Sequence, residues 1–388
     1  MAKRTRPVVV ASRIYAPEGG AAAYRLAALV GELIDSGIET VVVTSQPVPA
    51  VASTPTVRRW PVLRDSSGAV RGYLQYASFD IPLFFRLWGV RNPRALIVEP
   101  PPTTGVIVRI SARLRGIPYV YFAADVSSSA AAGIGVNPVI VRVLRAVESW
   151  VLRGAALVLA VSDGVRDEVQ TLGVRPNQVA VVGTGIDTAT FALDGALPDC
   201  DAPYFAYAGT MSEIQGAGVF LDAFAVVAAE HPSARLVLLG GGTELDALQR
   251  RAQESGFGER IDFLGSRPGA EAARWLRGAV AGLASVRPGR GYDFAFATKT
   301  FASISTGTPV VYAGVGPAAA LVREHRLGWA TDWAADEVAD AMRAALAGAA
   351  ASRDADERAR LSNWVRDNYS LTAVAANAVR AVRGVLPA

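Results

Sequence analysis

The stretch of sequence that decides the fold is Pro7–Ser36, which reads PVVVAS (7–12), RIYAPEGG (13–20) and AAAYRLAALVGELIDS (21–36). The first segment is a short β-branched run, typical of a buried strand in a parallel sheet. In the third segment, large apolar residues recur with the helical period, at Leu26, Leu29, Val30, Leu33 and Ile34. The stretch therefore predicts a strand, a glycine turn and a helix, which together form the repeating unit of a parallel α/β fold.

The same alternation continues along the 388 residues and predicts two Rossmann-like, doubly wound parallel-sheet domains of the α/β class. The first half contributes five more predicted strands, at Thr40–Ser45, Ala95–Glu99, Tyr119–Asp125, Leu157–Ser162 and Val179–Gly183. The second half contributes Tyr204–Gly209, Arg235–Gly240, Ile261–Gly265, Gly282–Val286 and Pro309–Gly314. Each run ends in small or polar residues, so we expect ligand-binding loops at the carboxyl edges of both sheets.

A stretch rich in Pro, Asp and Gly, Gly195–Pro203, is the predicted hinge. It separates an N-terminal domain, residues 1–198, from a C-terminal domain, residues 199–370. Two such domains bind a ligand between their facing strand ends, so an interdomain cleft is the expected site. The last periodic segment, Leu371–Val385, lies in a terminal region of residues 371–388, and one place for it is against the first domain.

Composition excludes several classes of protein. With 51% hydrophobic and 19% charged residues, the chain can form two full cores. Residues 1–200 hold 20 Lys and Arg against 15 Asp and Glu, which is too mild an excess for nucleic-acid binding. The single cysteine, Cys200, excludes an internal disulfide and fits a reducing compartment. No apolar run approaches the ~18 residues of a spanning helix. These features predict a cytoplasmic protein, with peripheral contact at the inner membrane face left open.

Other patterns leave little room for metal or histidine chemistry. His231 and His325 are far apart in sequence, so neither a histidine-based triad nor a zinc site is expected. The acidic pairs Asp199-Cys200-Asp201 and Asp354-Ala355-Asp356 are interpreted as solvated loops, and no metal site is predicted. The aromatic run Phe79–Trp88 has three open interpretations: contact with lipid, packing against the core, or lining of an acceptor pocket.

Two segments suggest a diphosphate site. Gly19 and Gly20 allow close approach of the backbone, and the following helix begins with free N–H groups, although a plain strand-to-helix turn explains the pair equally well. The turn is not G-x-G-x-x-G, so a dinucleotide is not implied. Thr298 is predicted to cap a short helix that ends at Gly307, which places Lys299 in its first turn. A cation there is unfavourable unless it holds an anion; a solvated lysine is the alternative.

The order of the short segments resembles the family 4 glycosyltransferases of the GT-B fold, closest to the branch acting in bacterial surface-polysaccharide assembly. In the first half these segments are YAPEGGAA (15–22), YRL (24–26), PPPTTG (100–105), GIP (116–118), Asp125, AVS (160–162), GTGID (183–187) and Phe191. In the second half they are YAGT (207–210), QG (215–216), LGGGTE (239–244), FLG (263–265), TKTF (298–301) and GTPVV (307–311). The resemblance spans essentially the whole chain.

The resemblance implies metal-independent transfer of a sugar, with retained anomeric configuration, from a nucleoside diphosphate sugar to an acceptor hydroxyl, without a cofactor. It makes Lys299 and Asp125 the catalytic candidates, on the leaving diphosphate and the acceptor hydroxyl respectively. The implied donor-binding residues besides Lys299 are Gly19, Gly20, Gly209, Thr210, Gln215, Gly240, Gly241, Arg267, Ala297 and Thr298. The implied acceptor-binding residues are Glu18, Arg25 and Asp125. From position alone, Asp125 could instead cap the next turn, and Arg25 is slightly better interpreted as a surface charge.

The chain also departs from the family pattern. Phe294 and Ala302 stand where many relatives have two glutamates, the second of which binds the nucleotide ribose. Losing one such bond costs about 1.5–3 kcal/mol. Asp293 and Glu324 are the candidates to compensate. If they do not compensate, the donor is held differently or the chain is an engineered variant. Two alternative functions also stay open: a non-catalytic sugar-nucleotide-binding subunit, and a GT-B relative with other chemistry, such as an epimerase or a pseudo-glycosyltransferase. Met211 and Gln215 stand near the place of the family's Arg/Lys pair.

Overall fold

The computed structural model describes residues 6–18, 20–65, 68–70, 72–133, 135–290, 292–294, 296–349 and 354–387. The chain divides into two compact units, Met1–Thr184 with Leu371–Ala388, and Gly185–Ser370. Each unit is a layered α/β structure built on a parallel sheet, which confirms the predicted fold class.

The first unit contains seven strands in the order β3-β2-β1-β4-β5-β6-β7, all paired in parallel. Its strands are β1 (Val8–Ala11), β2 (Thr40–Ser45), β3 (Val57–Trp60), β4 (Ala95–Val98), β5 (Tyr119–Ala123), β6 (Leu157–Ala160) and β7 (Val179–Val181). Its helices up to β7 are α1 (Ala21–Asp35), α2 (Tyr73–Trp88), α3 (Pro102–Arg115), α4 (Ser127–Gly133), α5 (Pro138–Gly154) and α6 (Asp163–Thr171).

The second unit contains six strands in the order β10-β9-β8-β11-β12-β13, again parallel. Its strands are β8 (Tyr204–Ala208), β9 (Arg235–Leu239), β10 (Ile261–Gly265), β11 (Ala281–Val286), β12 (Val310–Gly314) and β13 (Gly328–Thr331). Its helices are α7 (Gly218–Glu230), α8 (Leu245–Glu254), α9 (Gly269–Gly278), α10 (Lys299–Ser305), α11 (Pro317–Glu324), α12 (Ala335–Ala347) and α13 (Ala355–Tyr369). The last helix, α14 (Leu371–Arg383), belongs to the first unit.

Each sheet reverses its winding direction beside its first strand. In the first unit Val8 of β1 pairs with Thr40 of β2 on one side and with Ala95 of β4 on the other. In the second unit β8 lies between β9 and β11. In doubly wound sheets, ligands bind outside the carboxyl ends of strands at such a switch point. The fold therefore predicts ligand-binding residues in the loops that follow β1 and β4, and in the loop that follows β8.

All the predicted runs form strands, including β7 and β10 at one edge of each sheet. The strand at the opposite edge of each sheet, β3 or β13, was not predicted from the sequence pattern. Strand β3 consists of Val57, Arg58, Arg59 and Trp60, and of these four residues only Trp60 is buried. β13 begins with Gly328 and is half-buried throughout. An edge strand that is covered on one side needs no continuous apolar run. A prediction based on such runs therefore does not detect it.

Helix α1 forms where its period predicts, with Leu26, Leu29, Val30 and Leu33 buried. Ile34 does not share that burial, since it is 49% exposed. On the same unit, α14 packs against α1, and its Arg383 donates to the Ser36 carbonyl at 2.8 Å. The C-terminal segment thus lies against residues of the first domain.

The boundary between the units falls at Thr184/Gly185, upstream of the predicted hinge at Gly195–Pro203. The intervening residues pack on the second unit: Phe191 is buried in its core, and Arg277 donates to the carbonyls of Ala192 and Ala196. The predicted boundary at 198/199 is therefore displaced, because a loop without periodicity is held by one buried arginine. Among the helices in the described part of the chain, none combines the length and apolar character needed to cross a bilayer.

Candidate functional site

In the first unit, a cavity opens at the carboxyl ends of β1, β4 and β5. It encloses about 110 Å³ and is lined by Ser12, Arg13, Ile14, Ala22, Arg25, Glu99, Pro100, Ala124 and Asp125. Two arginines and two carboxylates therefore share one small space at the switch point of the sheet. Such convergent polar groups at this position are typical of a ligand site.

Arg25 is held by a buried carboxylate rather than by solvent. Its Nη2 donates to Glu99 Oε2 at 2.9 Å, and the two side chains are 12% and 6% exposed. Ser12 Oγ donates to the other oxygen, Glu99 Oε1, at 2.7 Å. The guanidinium also lies 5.1 Å from the centre of the Phe122 ring. The interpretation of Arg25 as a surface charge is therefore wrong.

Asp125 follows β5, and its Oδ1 is buried with no hydrogen-bond partner among the described residues. Burial raises the pKa of Asp125 to about 6; repulsion by Glu148 and Glu99 adds to this, while Arg25 and Arg13 oppose it. The N–H groups of the next turn are taken by Glu148, which accepts from Ser127 N at 2.8 Å and from Ser128 N at 2.9 Å. The helix cap is thus Glu148, which leaves the Asp125 carboxyl to face the cavity.

Neither Glu18 nor Gly20, two other predicted residues of the first unit, lines this cavity. Glu18 forms an ion pair with Arg64 at 2.7 Å. Gly20 is the N-cap residue of α1, with a φ of 118° that favours glycine. Gly19 lies outside the described residues, so of the predicted glycine pair only the conformation of Gly20 is described.

In the second unit, Lys299 is the first residue of α10, and its ammonium group points to the end of β8. Its Nζ donates to Gln215 Oε1 at 2.6 Å and to the Tyr207 hydroxyl, and it lies 4.1 Å from the centre of the Tyr207 ring. The hydroxyl in turn donates to the Thr210 carbonyl at 2.7 Å. The alternative of a freely solvated lysine is therefore wrong.

The cation of Lys299 lacks a compensating anion. Among the described side chains, no carboxylate lies within ion-pair distance of it. Burial lowers the pKa of Lys299 to about 7. A half-buried ammonium that has only neutral hydrogen-bond partners would be stabilised by an added anion. The arrangement can therefore bind a phosphate group and gain a charge-assisted hydrogen bond on binding.

Glycines bring the ends of β8 and β9 close together beside Lys299. Gly209 N donates to the Leu239 carbonyl at 2.9 Å, and Met211 N donates to the Gly241 carbonyl at 2.9 Å. A Cβ on Gly209 would lie 3.0 Å from Lys299 Cε. A side chain at position 209 would press on the lysine stem, so this glycine allows the strand end and Lys299 to lie close together.

We expect Gly240→Ala to destabilise the protein more than a matched substitution elsewhere. Gly240 has a φ of 135°, and an added Cβ would lie 1.9 Å from the Gly209 carbonyl oxygen. The overlap and the strained backbone should cost about 2 kcal/mol of the free energy of unfolding beyond the control. The control is Gly256→Ala, where φ is 78° and an added Cβ meets nothing within 4 Å. Equal urea midpoints for the two variants would contradict this packing.

The other predicted donor residues are placed less tightly. Ala297 is buried ahead of α10, and Thr298 is the N-cap residue. The side chain of Thr298 makes no cap hydrogen bond, so the predicted capping role is wrong. Arg267 is exposed, 3.9 Å from Glu271, and makes no described contact with the Lys299 group.

The departures from the family pattern have a plain structural form. Ala302 is buried in the core of the second unit, and Phe294 stacks on Tyr292 with ring centres 6.0 Å apart. Asp293 accepts a hydrogen bond from Gly289 N at 3.1 Å, and Glu324 is exposed at the end of α11. Neither carboxylate is described in contact with the Lys299 group, so nothing here supports them as replacements.

Glu99 and Tyr207, which hold Arg25 and Lys299, were not singled out as site residues from the sequence. Glu99 directly follows the buried run of β4, and that position at a strand's carboxyl end is a usable signal. Tyr207 is fully buried on β8, and a tyrosine in an apolar strand carries no sign that its hydroxyl meets a lysine. Within the described residues, no group of three His, Cys, Asp or Glu is arranged to hold a metal ion.

Comparison with protein families gives two adjacent matches. A glycosyl transferase 4-like domain matches residues 19–185, and a domain of the glycosyl transferases group 1 matches residues 202–348. A D-inositol 3-phosphate glycosyltransferase of Nocardioides sp. is 28% identical over 246 residues, which cover 56% of this chain and 52% of the relative. The chain thus aligns with about half the length of this curated relative.

Solved structures share the fold over nearly the full length. Sucrose-phosphate synthase from Thermosynechococcus elongatus superimposes with a TM-score of 0.78 at 16% identity, covering 98% of both chains. Anabaena HepE in complex with UDP-glucose superimposes with a TM-score of 0.72 at 14% identity, covering 97% of this chain and 99% of the other. At such identities the likeness extends to the fold alone.

Proposed function

Because the chain belongs to the GT-B glycosyltransferases, with a glycosyl transferase 4-like domain ahead of a group 1 domain, we propose that it transfers a sugar from a nucleoside diphosphate sugar to an acceptor hydroxyl. The observation that carries this proposal is the half-buried Lys299, which no described carboxylate pairs with, beside the glycine ends of β8 and β9. The UDP-glucose complex of HepE, which shares the fold, makes a uridine nucleotide the first donor to test.

The leaving group of this reaction is a nucleoside diphosphate. As the bond between the sugar C1 and the phosphate oxygen breaks, negative charge grows on that oxygen. Lys299 stabilises the charge by donating a hydrogen bond from its ammonium group, while Tyr207 and Gln215 hold the ammonium in place. Such preorganised cations contribute because they need no rearrangement during the reaction.

The acceptor hydroxyl is assigned to the cavity of the first unit. Asp125, ionised above pH about 6, orients the hydroxyl by accepting its hydrogen bond. The new bond forms between the hydroxyl oxygen and C1 on the face that the diphosphate leaves, so the anomeric configuration is retained. The hydroxyl proton passes to the Asp125 carboxylate that accepts its hydrogen bond, the diphosphate leaves as an anion held by Lys299, and no metal ion is needed in this scheme.

The experiment is incubation of the full chain with a panel of nucleotide sugars, with and without cell-extract acceptors and with EDTA present. Donor-specific release of nucleoside diphosphate, with a product of retained configuration by NMR, is the expected result. Binding without turnover would instead identify a non-catalytic subunit, consistent with Phe294 and Ala302. Interconversion of the sugar without released nucleotide would identify epimerase-like chemistry.

We also expect the affinity for a nucleotide sugar to fall as the pH rises above 7. The pKa of Lys299 is about 7 in the free protein, and a bound diphosphate favours the charged form and raises that pKa. Binding above pH 7 therefore takes up a proton, and the affinity falls by up to about tenfold per pH unit. Below pH 7 the amine is already charged, so this dependence disappears.

Calorimetry at pH 8 in two buffers of different ionisation enthalpy measures this proton uptake, which should approach one per bound nucleotide sugar. The diester phosphates of a nucleotide sugar do not titrate near pH 7, so the signal belongs to the protein. Lys299→Arg is the control, because arginine stays charged and should remove the dependence. An unchanged pH profile in that variant would contradict the assignment.

A further inference from the structure

The outer surface of the helices α2, α3 and α5 differs from the rest of the first unit. These helices form one layer, since α3 packs against α2 on one side and against α5 on the other. We call their exposed outer surface the arginine-apolar face. Its properties are independent of the proposed catalytic site.

Apolar side chains follow one exposed stripe of α2. Phe79, Leu83 and Leu87 point to the core and are buried. On the opposite side, the large apolar side chains recur at helical spacing and are 46% to 72% exposed, at Leu74, Ile81, Phe85 and Trp88. The stripe continues on the neighbouring helices with exposed Ile110 and Leu114 on α3 and Val139, Ile140 and Val143 on α5. A helix that is apolar on two sides indicates a second surface to be covered.

The face carries only one sign of charge. Between Asp65 and Asp163 the sequence has four carboxylates, Asp80, Glu99, Asp125 and Glu148, and none of them is exposed. The exposed charges described over the same range are all arginines, at positions Arg86, Arg91, Arg113, Arg142, Arg145 and Arg153. Acidic groups reappear only at the edge, on α6, where Asp163 and Asp167 are paired with Arg166.

The charge of the whole unit follows the same trend. The first unit holds 22 Lys and Arg against 12 Asp and Glu, whereas the second holds 17 against 23. The excess of positive charge is larger in this unit than in residues 1–200, because the acidic residues Asp187, Asp194 and Asp199 belong to the second unit. A surface that combines exposed apolar side chains with unopposed positive charge is complementary to an anionic lipid bilayer.

A second cavity beside the stripe fits a lipid headgroup. It encloses about 470 Å³ and is lined by Val43, Arg58, Pro82, Phe85, Arg86 and Gly89. Two guanidinium groups and no carboxylate line it, and the exposed ring of Phe85 borders it. Phosphate oxygens are the groups that paired guanidiniums bind best.

We propose that the arginine-apolar face docks the protein on an anionic membrane. A second copy of the chain is disfavoured as the occupant, because face-to-face contact would bring the five exposed arginines of these three helices against the same five arginines of the other copy. The inner side of α2 contacts a residue of the first-unit cavity: the Arg13 guanidinium lies 3.9 Å from the centre of the Tyr76 ring. If the proposed function holds, an amphipathic acceptor would reach that cavity from the membrane.

The test is flotation of the full chain with vesicles of phosphatidylcholine alone and with about 30% phosphatidylglycerol. We expect binding to the anionic vesicles only, weakened by salt. Arg113→Gln with Arg142→Gln should weaken binding about 25-fold, from about fivefold per arginine. Ile81→Ser with Phe85→Ser should weaken it at least about tenfold. The matched controls are Arg250→Gln and Val226→Ser, both exposed on the second unit, which should bind like the parent chain.

Equal binding to neutral vesicles, or equal losses in the control variants, would overturn the proposal. So would a dimer that Ile81→Ser with Phe85→Ser converts to monomer, since a second copy would then cover the face. Circular dichroism of the variants checks that each is folded. Release of nucleoside diphosphate from a soluble donor should be unchanged in the face variants, so failure of the membrane proposal is separable from failure of the proposed function.

Discussion

Replacing Lys299 with methionine is expected to lower kcat/KM for sugar transfer by about 100- to 1,000-fold, the usual cost of removing one preorganised donor from a developing oxyanion. The chain has only two lysines, Lys3 and Lys299, so no other lysine in the second unit can take over the role. Methionine matches the length of the lysine stem and fills the same space beside the Tyr207 ring. The fold should therefore persist, and the measurement is the initial rate of nucleoside diphosphate release.

The control is Arg250→Met, which removes an exposed cation of the same unit on α8. That variant should retain the parent rate within about twofold, because exposed charges are screened. If Lys299→Met were as active as Arg250→Met while remaining folded, Lys299 would not act on the leaving group. The proposed mechanism would then be wrong, although the fold assignment would stand.

Replacing Arg25 with methionine is expected to lower the free energy of unfolding of the first unit by about 3–5 kcal/mol. The Glu99 side chain is 6% exposed and would lose its ion-pair partner, while among the described residues Ser12 would be the remaining side chain that donates to it. Removing the charge as well should restore most of the loss, so Arg25→Met with Glu99→Gln should be more stable than Arg25→Met alone. Urea denaturation of the three variants measures the coupling.

Arg166→Met is the control for this cycle. Arg166 also pairs with carboxylates, Asp163 and Asp167, but these groups are exposed, and such pairs contribute about 0–1 kcal/mol. A loss in Arg25→Met no greater than in Arg166→Met would mean that the Arg25–Glu99 pair is effectively solvated. The first-unit cavity would then lack the fixed charges assigned to it.

The sequence pattern predicted the central architecture because buried parallel strands need continuous apolar runs. The runs at Val8–Ala11 and Thr40–Ser45 form neighbouring parallel strands inside the first sheet. The helix of Pro7–Ser36 formed at the predicted place because its period is strong. The edge strand Val57–Trp60 was not predicted, because the exposed side of an edge strand does not need apolar side chains.

The sites were predicted less completely, because side-chain partners distant in sequence decide them. Arg25 was interpreted as a surface charge because its partner, Glu99, is 74 positions away. The environment of Lys299 depends on Tyr207, 92 positions away, and on Gln215. No local sequence pattern predicts contacts between side chains so far apart in the chain. Glycines at strand ends are recognisable in the sequence, and Gly209 and Gly240 were therefore among the predicted donor-binding residues.

In the proposed reaction, a nucleoside diphosphate binds against the ammonium group of Lys299. The most direct measurement is NMR of the chain labelled with ¹³C-lysine, which gives only two lysine Cε signals; a Lys3→Arg variant assigns them. We predict that the Lys299 signal titrates with a pKa of about 7 in the free protein and that saturating UDP raises this pKa markedly. A Lys299 signal whose titration is unchanged when UDP is bound would contradict the claim.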